Sequence, residues 1–189
     1  MNQAEDIKKA VEVLRKGGVI LYPTDTVWGI GCDATNAEAV SRVYAIKHRD
    51  DSKALICLVD SDARLQRYVR DVPAVAWELL DVVTKPTTVI LDGAVNLAPN
   101  LIADDGSIAL RITQEPFSKE LCYRFQKALV STSANISGEP AAANYCDISD
   151  DIINAVDYVC FSRRQERKPH TPSSIIKLKS DGEVTIIRK

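Results

Sequence analysis

An α/β fold built on a mixed sheet is predicted by three features of this sequence. Short apolar, β-branched segments alternate with segments of helical periodicity along most of the chain. The C-terminal residues read instead as a hairpin, which adds antiparallel pairing to the crossover pattern. No composition shift or linker interrupts the 189 residues, and 46% of them are hydrophobic. One domain over residues 1–189, with a substantial core, is therefore expected.

The elements follow in order. Ala4 to Lys16 carries Ile7, Ala10, Val11 and Leu14 at helical spacing, and Gly17-Gly18 supplies the stop. Val19 to Tyr22 is an apolar strand. Pro23 has no N–H to donate and ends its ladder. A loop follows in which Thr24, Asp25 and Thr26 leave their oxygens free, and Gly29 and Gly31 allow close backbone approach. Thr35 to Glu38 has capping-box spacing and starts a helix to about Ile46. A charged loop, Lys47 to Lys53, leads into a strand from Ala54 to Val59. Asp60 or Ser61 caps a short helix through Tyr68, and Pro73 opens another to about Val83. Thr87 to Leu91 is β-branched and strand-like. Asp92 to Asp105 is irregular. Ser107 to Ile112 is a strand carrying Arg111, and Pro116 to Lys127 is a helix. Ala128 to Val130 is a short buried strand running into Ser131 to Pro140. A helix near Ile148 to Val156 and a strand near Tyr158 to Phe161 come next. After the basic loop Ser162 to Thr171, Ser173 to Leu178 and Val184 to Ile187 pair across the Asp181-Gly182 turn.

Composition excludes several classes. Lysine and arginine total 24 against 26 acidic residues, a formal net charge of −2, so any nucleic-acid contact needs a local patch. Five scattered cysteines without a C-x-x-C fit reduced, mostly buried thiols in a cytosolic protein. Two histidines, His48 and His170, leave no histidine-based zinc site. The polar, acidic N-terminus is not a signal peptide, and no apolar run is long enough to span a bilayer. G-x-x-x-x-G-K-[ST], G-x-G-x-x-G and G-x-S-x-G are all absent. Ser133 has no histidine in an obvious partner position, which argues against a serine hydrolase.

Four polar clusters lie at or near strand ends: Thr24/Asp25/Thr26, Lys47/Arg49/Lys53, Arg111/Thr113 and Ser131/Ser133/Asn135/Ser137. Strand-end loops on one side of a sheet usually share a crevice. Cations and hydroxyls together suit a polyanion such as a nucleoside triphosphate, arginine as a fork and lysine as a point charge. Each cluster also has a plainer reading. Taken alone, the Thr24–Thr26 stretch is a polar turn. The Lys47–Lys53 loop is a solvated turn balanced by Asp50 and Asp51, and Trp28 fills the core. Arg111 resists the plain reading, because a lone cation in an apolar strand is costly unless paired or facing a ligand.

Pro23 to Ala34 resembles the P-T-[ED]-T-x-[YW]-G-[LI]-G-x-D-A signature of the YrdC family, and Ser131 to Gly138 its S-x-S-A-N-x-S-G signature. Lys47-His48-Arg49 is similar to the family K-x-R, Arg111 to its strand arginine, and Pro172 to Ile176 to its late [PE]-S-[ST]-[IV] segment. The resemblance runs in order from near residue 7 to Arg188. It implies a twisted mixed sheet surrounded by helices, with a deep basic cavity. It also implies the reaction of L-threonine, bicarbonate and ATP to L-threonylcarbamoyladenylate and pyrophosphate, for tRNA modification. By similarity, Lys47 and Arg49 are expected at the phosphates, with Arg49 also reaching the threonine carboxylate. Thr24 and Thr26 would hold threonine or the carbamate, and Ser131 would lie near it. Ser133 and Asn135 would contact ATP. Arg111 and Thr113 would line the nucleotide pocket, with Lys53 nearby, Ser173 closing it and Arg188 reaching in from the tail. Mg²⁺ is expected with ATP, held by phosphates and water. The downstream partner would be a tRNA threonylcarbamoyl transferase.

Asp50 and Ala54 stand where the family commonly has prolines. Val83 to Thr88 keeps only part of its W-P-G-P-x-T segment. These departures leave open a YciO-like paralogue of different activity. Binding of tRNA or double-stranded RNA through Arg163, Arg164, Arg167 and Lys168 together with Lys47, Arg49 and Lys53 is the alternative of another class, with a solvated lid as the plainer reading of the 163–168 run. Ending at Lys189, the chain resembles the short family branch without an extra C-terminal domain.

Overall fold

The computed structural model describes residues 1–48, 55–168 and 170–189. Nine strands among the described residues form its spine. They are β1 (Ile20–Tyr22), β2 (Gly29–Gly31), β3 (Ile56–Val59), β4 (Thr87–Leu91), β5 (Ile108–Ile112), β6 (Leu129–Ser133), β7 (Tyr158–Val159), β8 (Ser174–Leu178) and β9 (Val184–Arg188). Their order across the sheet is β7-β1-β2-β6-β3-β5-β4-β8-β9. The pairs β1–β7, β3–β5 and β4–β8 are parallel, and the other neighbours are antiparallel. Six α-helices among the described residues are α1 (Gln3–Arg15), α2 (Ala37–Ile46), α3 (Asp62–Leu65), α4 (Ala74–Val82), α5 (Pro116–Phe125) and α6 (Asp150–Ala155). The mixed α/β arrangement expected from the alternation is the one the chain forms.

Period-two alternation decides what each strand touches. One face presents Leu21, Ile30, Cys57, Val59, Val89, Leu110 and Val130 to a large core completed by Val40, Val43 and Tyr44 of α2 and Ala76 of α4. The opposite face is only partly covered. There Ile20, Tyr22, Leu58 and Leu129 pack against Ile7, Val11 and Leu14 of α1 and Phe117, Leu121 and Phe125 of α5. These two helices do not reach the rest of that face.

Their ends are fixed by polar side chains. Asn2 and Glu5 form a capping box on α1. Glu115 accepts from the amides of Phe117 and Ser118 at 3.1 and 2.7 Å, and Pro116 fills the first turn of α5.

Two stretches differ from the sequence reading. Gly29–Gly31, expected in the loop, pairs as a strand with β1 and β6. A Gly-Ile-Gly triplet has too little side-chain pattern to announce a strand, and its neighbours impose the pairing. The strand beginning at Leu129 continues through Ser133, because Thr132 and Ser133 complete the ladder with Ile30 and Gly29.

Asp6 ties α1 to the end of β7. Its buried carboxylate accepts from the Tyr158 hydroxyl at 2.7 Å and from the amides of Phe161 and Ser162 at 3.0 and 2.7 Å. Burial acts to raise this carboxyl, but those donors outweigh it and hold it below the ordinary aspartate value. Asp6→Asn is expected to cost about 3 kcal/mol in urea unfolding at neutral pH, because it sets an amide donor against main-chain donors. The depressed folded value stabilises above the unfolded value of about 3.9, and that stabilisation is lost as pH falls through the folded value. The gap between wild type and variant is therefore constant near neutrality and closes in acid.

Candidate active site

The uncovered part of the second face is a cavity of about 250 Å³. Ile56, Ile90, Ala109 and Ile175 give it an apolar floor, and Thr26, Arg111, Ser131, Ser133, Ser173 and Arg188 add polar groups. These six were expected at the site from sequence, and five separate stretches bring them to one hollow.

The loop after β1 folds around Thr24. Its Oγ1 receives the Thr26 amide at 3.0 Å and donates to the Val27 carbonyl at 2.8 Å, in a side-chain-closed turn. The two threonine hydroxyls are 3.1 Å apart. Thr24 has already given its proton to Val27, so Thr26 donates in that pair. Thr26 Oγ1 also accepts from Arg111 Nη2 at 3.2 Å. One acceptor site on Thr26 remains for a ligand donor. Thr24 is buried and shapes the turn without lining the cavity.

Arg111 is only 3% exposed. Asp25 Oδ1 lies 3.0 Å from Nη2 in ion-pair contact, without the alignment of a hydrogen bond, and Nε has no partner. Thr88 Oγ1 takes a long bond from Nη1 at 3.5 Å. Burial raises the Asp25 carboxyl above its ordinary value, opposed by Arg111. The guanidinium is thus held on one side and undersatisfied on the other.

Ser173 and Arg188 make the opposite wall. Ser173 Oγ pairs with Thr88 Oγ1 at 2.8 Å, and Arg188 Nε donates to the Ser173 carbonyl at 2.8 Å. A register shift aims Arg188. Leu178 faces Val184 and Ile176 faces Ile186, but Ile175 then faces Arg188 rather than Ile187. Since Ile175 belongs to the cavity floor, this bulge turns Arg188 inward. Burial, and then the charge of Arg111, lower the Arg188 guanidinium's proton affinity. Two cations sharing one hollow favour an anion between them.

Lys47 lies beneath the Ser131–Asn135 segment. It is 1% exposed, and its Nζ donates to the carbonyls of Ser133 and Asn135 at 2.6 and 2.7 Å. Asn135 turns its amide nitrogen to the carbonyls of Ile136 and Glu139, away from the cavity lining. Thr113 is buried, with its Oγ1 2.7 Å from Ser118 Oγ, and is likewise outside the lining. Arg49 and Lys53 lie outside the described residues.

Thr88 was not anticipated from sequence, nor was the pairing of Asp25, named in the loop cluster, with Arg111. The partly retained Val83–Thr88 segment was the available signal for Thr88, and an acid between two threonines for the pairing. In the basic run after β7, Arg163 and Arg164 are half-buried while Arg167 and Lys168 are exposed. Arg163 donates to the Thr24 carbonyl at 2.9 Å, Arg164 to the Cys160 carbonyl at 2.8 Å, and Arg167 reaches Cys146 Sγ at 2.8 Å. Among the described residues, no helix is long and apolar enough to cross a membrane.

Residues 12–189 match the Sua5/YciO/YrdC family, described as telomere recombination. The chain is 34% identical over 178 residues to a Vibrio cholerae serotype O1 protein named threonylcarbamoyl-AMP synthase, covering 93% of this chain and 94% of that one. Escherichia coli YciO superposes with a TM-score of 0.86 at 26% identity, over 100% of this chain and 90% of that one. P. abyssi Sua5 complexed with L-threonine shares the fold at a TM-score of 0.82 and 23% identity. That match covers 94% of this chain but 52% of the longer Sua5.

Gly31 of β2 sits where no side chain fits. A Cβ on Gly31 would meet the Val130 carbonyl oxygen at 2.4 Å and Tyr22 Cε1 at 2.6 Å. Tyr22 is fully buried and bonded to that same carbonyl at 3.2 Å, so neither neighbour can yield. Gly31→Ala is expected to lose about 3 kcal/mol of unfolding free energy, measured by chemical denaturation.

Proposed function

The chain belongs to the Sua5/YciO/YrdC family, and from that membership we infer how the cavity carries out the family's reaction. The activity is that of a threonylcarbamoyl-AMP synthase: L-threonine, bicarbonate and ATP give L-threonylcarbamoyladenylate and pyrophosphate. The product serves tRNA N6-threonylcarbamoyladenosine modification, through a downstream transferase. The observation that carries the structural half of this reading is the convergence of Thr26, Arg111, Ser131, Ser133, Ser173 and Arg188 on one hollow.

No protein nucleophile is required. The threonine amine attacks the bicarbonate-derived carbon, giving a carbamate with loss of water. A carbamate oxygen then attacks the α-phosphorus, and pyrophosphate leaves. The protein's work is to align two anions and offset their charge.

Thr26 and Ser131 are assigned to threonine and the carbamate. The free acceptor position of Thr26 suits a donor on that substrate. Arg111, bonded to Thr26 and facing Arg188 across the hollow, stands where carbamate and α-phosphate meet. Ser133, Ser173 and Arg188 take the nucleotide side, and the isoleucine floor offers an apolar surface. Lys47 stiffens the Ser133–Asn135 turn and adds positive charge beneath it. At about 250 Å³ the cavity is smaller than the roughly 300–1,000 Å³ of drug-sized ligand sites, so part of the nucleotide lies outside it. Asp25 and Asp33, the carboxylates of the strand-end loops around β1 and β2, already have Arg111 and Lys127 as partners. Mg²⁺ is therefore assigned to the nucleotide phosphates.

Purified protein is expected to release pyrophosphate only when ATP, bicarbonate and L-threonine are all present. Release that ignores threonine, or no release, would refute the reading. In the same assay Arg111→Gln is expected to lower the rate by about 10²–10³-fold. Arg49→Ala is expected to cost more than Lys53→Ala, because it removes a fork rather than a point charge. Equal, small losses would reject that assignment.

A further inference from the structure

We propose that Arg163, from the basic run after β7, is a positioning residue that latches the Thr24–Thr26 loop and so sets the affinity for L-threonine. The inference rests on the assignment of that loop to threonine.

Arg163 is a non-glycine residue held at φ 62°, a backbone state that L side chains seldom adopt without compensation. Its guanidinium gathers acceptors from three elements. Nη1 donates to the Thr24 carbonyl at 2.9 Å and meets Glu115 Oε1 at 3.2 Å. Nε donates to Glu166 Oε2 at 2.6 Å, and His170 Nε2 lies 3.2 Å from Nη2. Glu115 continues the chain, accepting from Ser118 Oγ at 2.8 Å, and Ser118 Oγ is 2.7 Å from Thr113 Oγ1. Thr113 is two residues beyond Arg111. One side chain therefore braces the loop after β1 against the end of β5, where the cavity's central cation sits.

Thr24 is the right residue to grip. Its side chain closes the turn that orients Asp25 and Thr26, so fixing its carbonyl fixes the turn as a unit. The opposite wall has anchors of its own besides the contact of Arg163 with His170, three residues before Ser173. Ser173 is held by Thr88 and Arg188, and Ser174 by its ladder to Thr87. Loss of the latch loosens the threonine side and leaves the Ser173 side in place. A planar fork with five donors can serve several acceptors at once, which a lysine ammonium at that distance does poorly.

The test compares wild type, Arg163→Ala and Arg163→Lys on the full chain, by pyrophosphate release, thermal melting and amide hydrogen exchange over residues 22–28. Arg163→Ala is expected to raise the KM for L-threonine about tenfold and leave that for ATP within about twofold. Exchange over residues 22–28 is expected to accelerate in both variants. Arg163→Lys should show a smaller rise of the same selectivity. KM values that rise together, or stay unchanged, would overturn the proposal, as would unaltered exchange in that segment. Should Arg163→Ala fail to fold, the same two criteria applied to Arg163→Lys decide. Accelerated exchange in the variants, with no threonine-dependent turnover by the wild type, would sink the synthase reading and support the latch.

Discussion

A permanently charged guanidinium, 3% exposed in the middle of a sheet, is the constraint from which the rest of this site follows. Moving such a group out of water costs many kilocalories per mole unless charges and dipoles replace its hydration. Arg111 receives that replacement from Asp25 and Thr26 on one loop and from Thr88 on a neighbouring strand. Each of these is held in turn. The turn closed by Thr24 fixes Asp25 and Thr26, and Ser173 fixes Thr88. The compensation is incomplete, with Nε unpartnered and the Asp25 contact misaligned. A cation so placed binds an incoming anion without first surrendering a good partner.

The hollow exists because helical cover stops partway across one face of the sheet. Along β3, Leu58 packs under the helices while Ile56, two residues earlier on the same face, lines the cavity. Along β6 the same change occurs between Leu129 and Ser131. The apolar-to-hydroxyl switch within one strand therefore marks the edge of the helical layer. On the other face Cys57, Val59 and Val130 belong to the large apolar core and anchor the strands whose opposite sides carry the site. Stability and function are separated by the thickness of one sheet.

Much of this was legible in the sequence, for identifiable reasons. Long apolar runs such as Leu55 to Val59 and Ile108 to Ile112 announce strands because both faces of a buried sheet must be filled. Arg111 stood out as the wrong residue type for its strand, and the hydroxyl-rich ends of β1 and β6 stood out by composition. Partnership was not legible. Nothing local says that Asp25 meets a residue 86 positions away, or that Thr113 turns to Ser118 rather than to the cavity. The Arg163 run read as a solvated lid or a nucleic-acid patch, because charge density is local while its acceptors, Thr24 and Glu115, come from elsewhere in the chain. Gly29–Gly31 was hidden for the opposite reason: a strand made mostly of glycine carries almost no pattern.

The ionisation states around the cavity point to the kind of catalysis it supports. Burial pushes the Cys57 thiol up to about 12 and raises those of Cys32, Cys122 and Cys160, so these groups are protonated and inert at neutral pH. Burial likewise drives the Tyr22 hydroxyl well above the usual phenol range. These groups are all shifted away from nucleophilic readiness. On the cavity wall the Thr26 and Ser173 hydroxyls are engaged in bonds with Thr24 and Thr88 that fix their direction. What the site offers in their place is fixed dipoles and two guanidiniums whose charges oppose each other across a narrow gap. Negative charge gathered between them is attracted to both and offsets their repulsion. Bringing a carbamate to an α-phosphate gathers charge there, so a site without a primed nucleophile is the kind this chemistry needs.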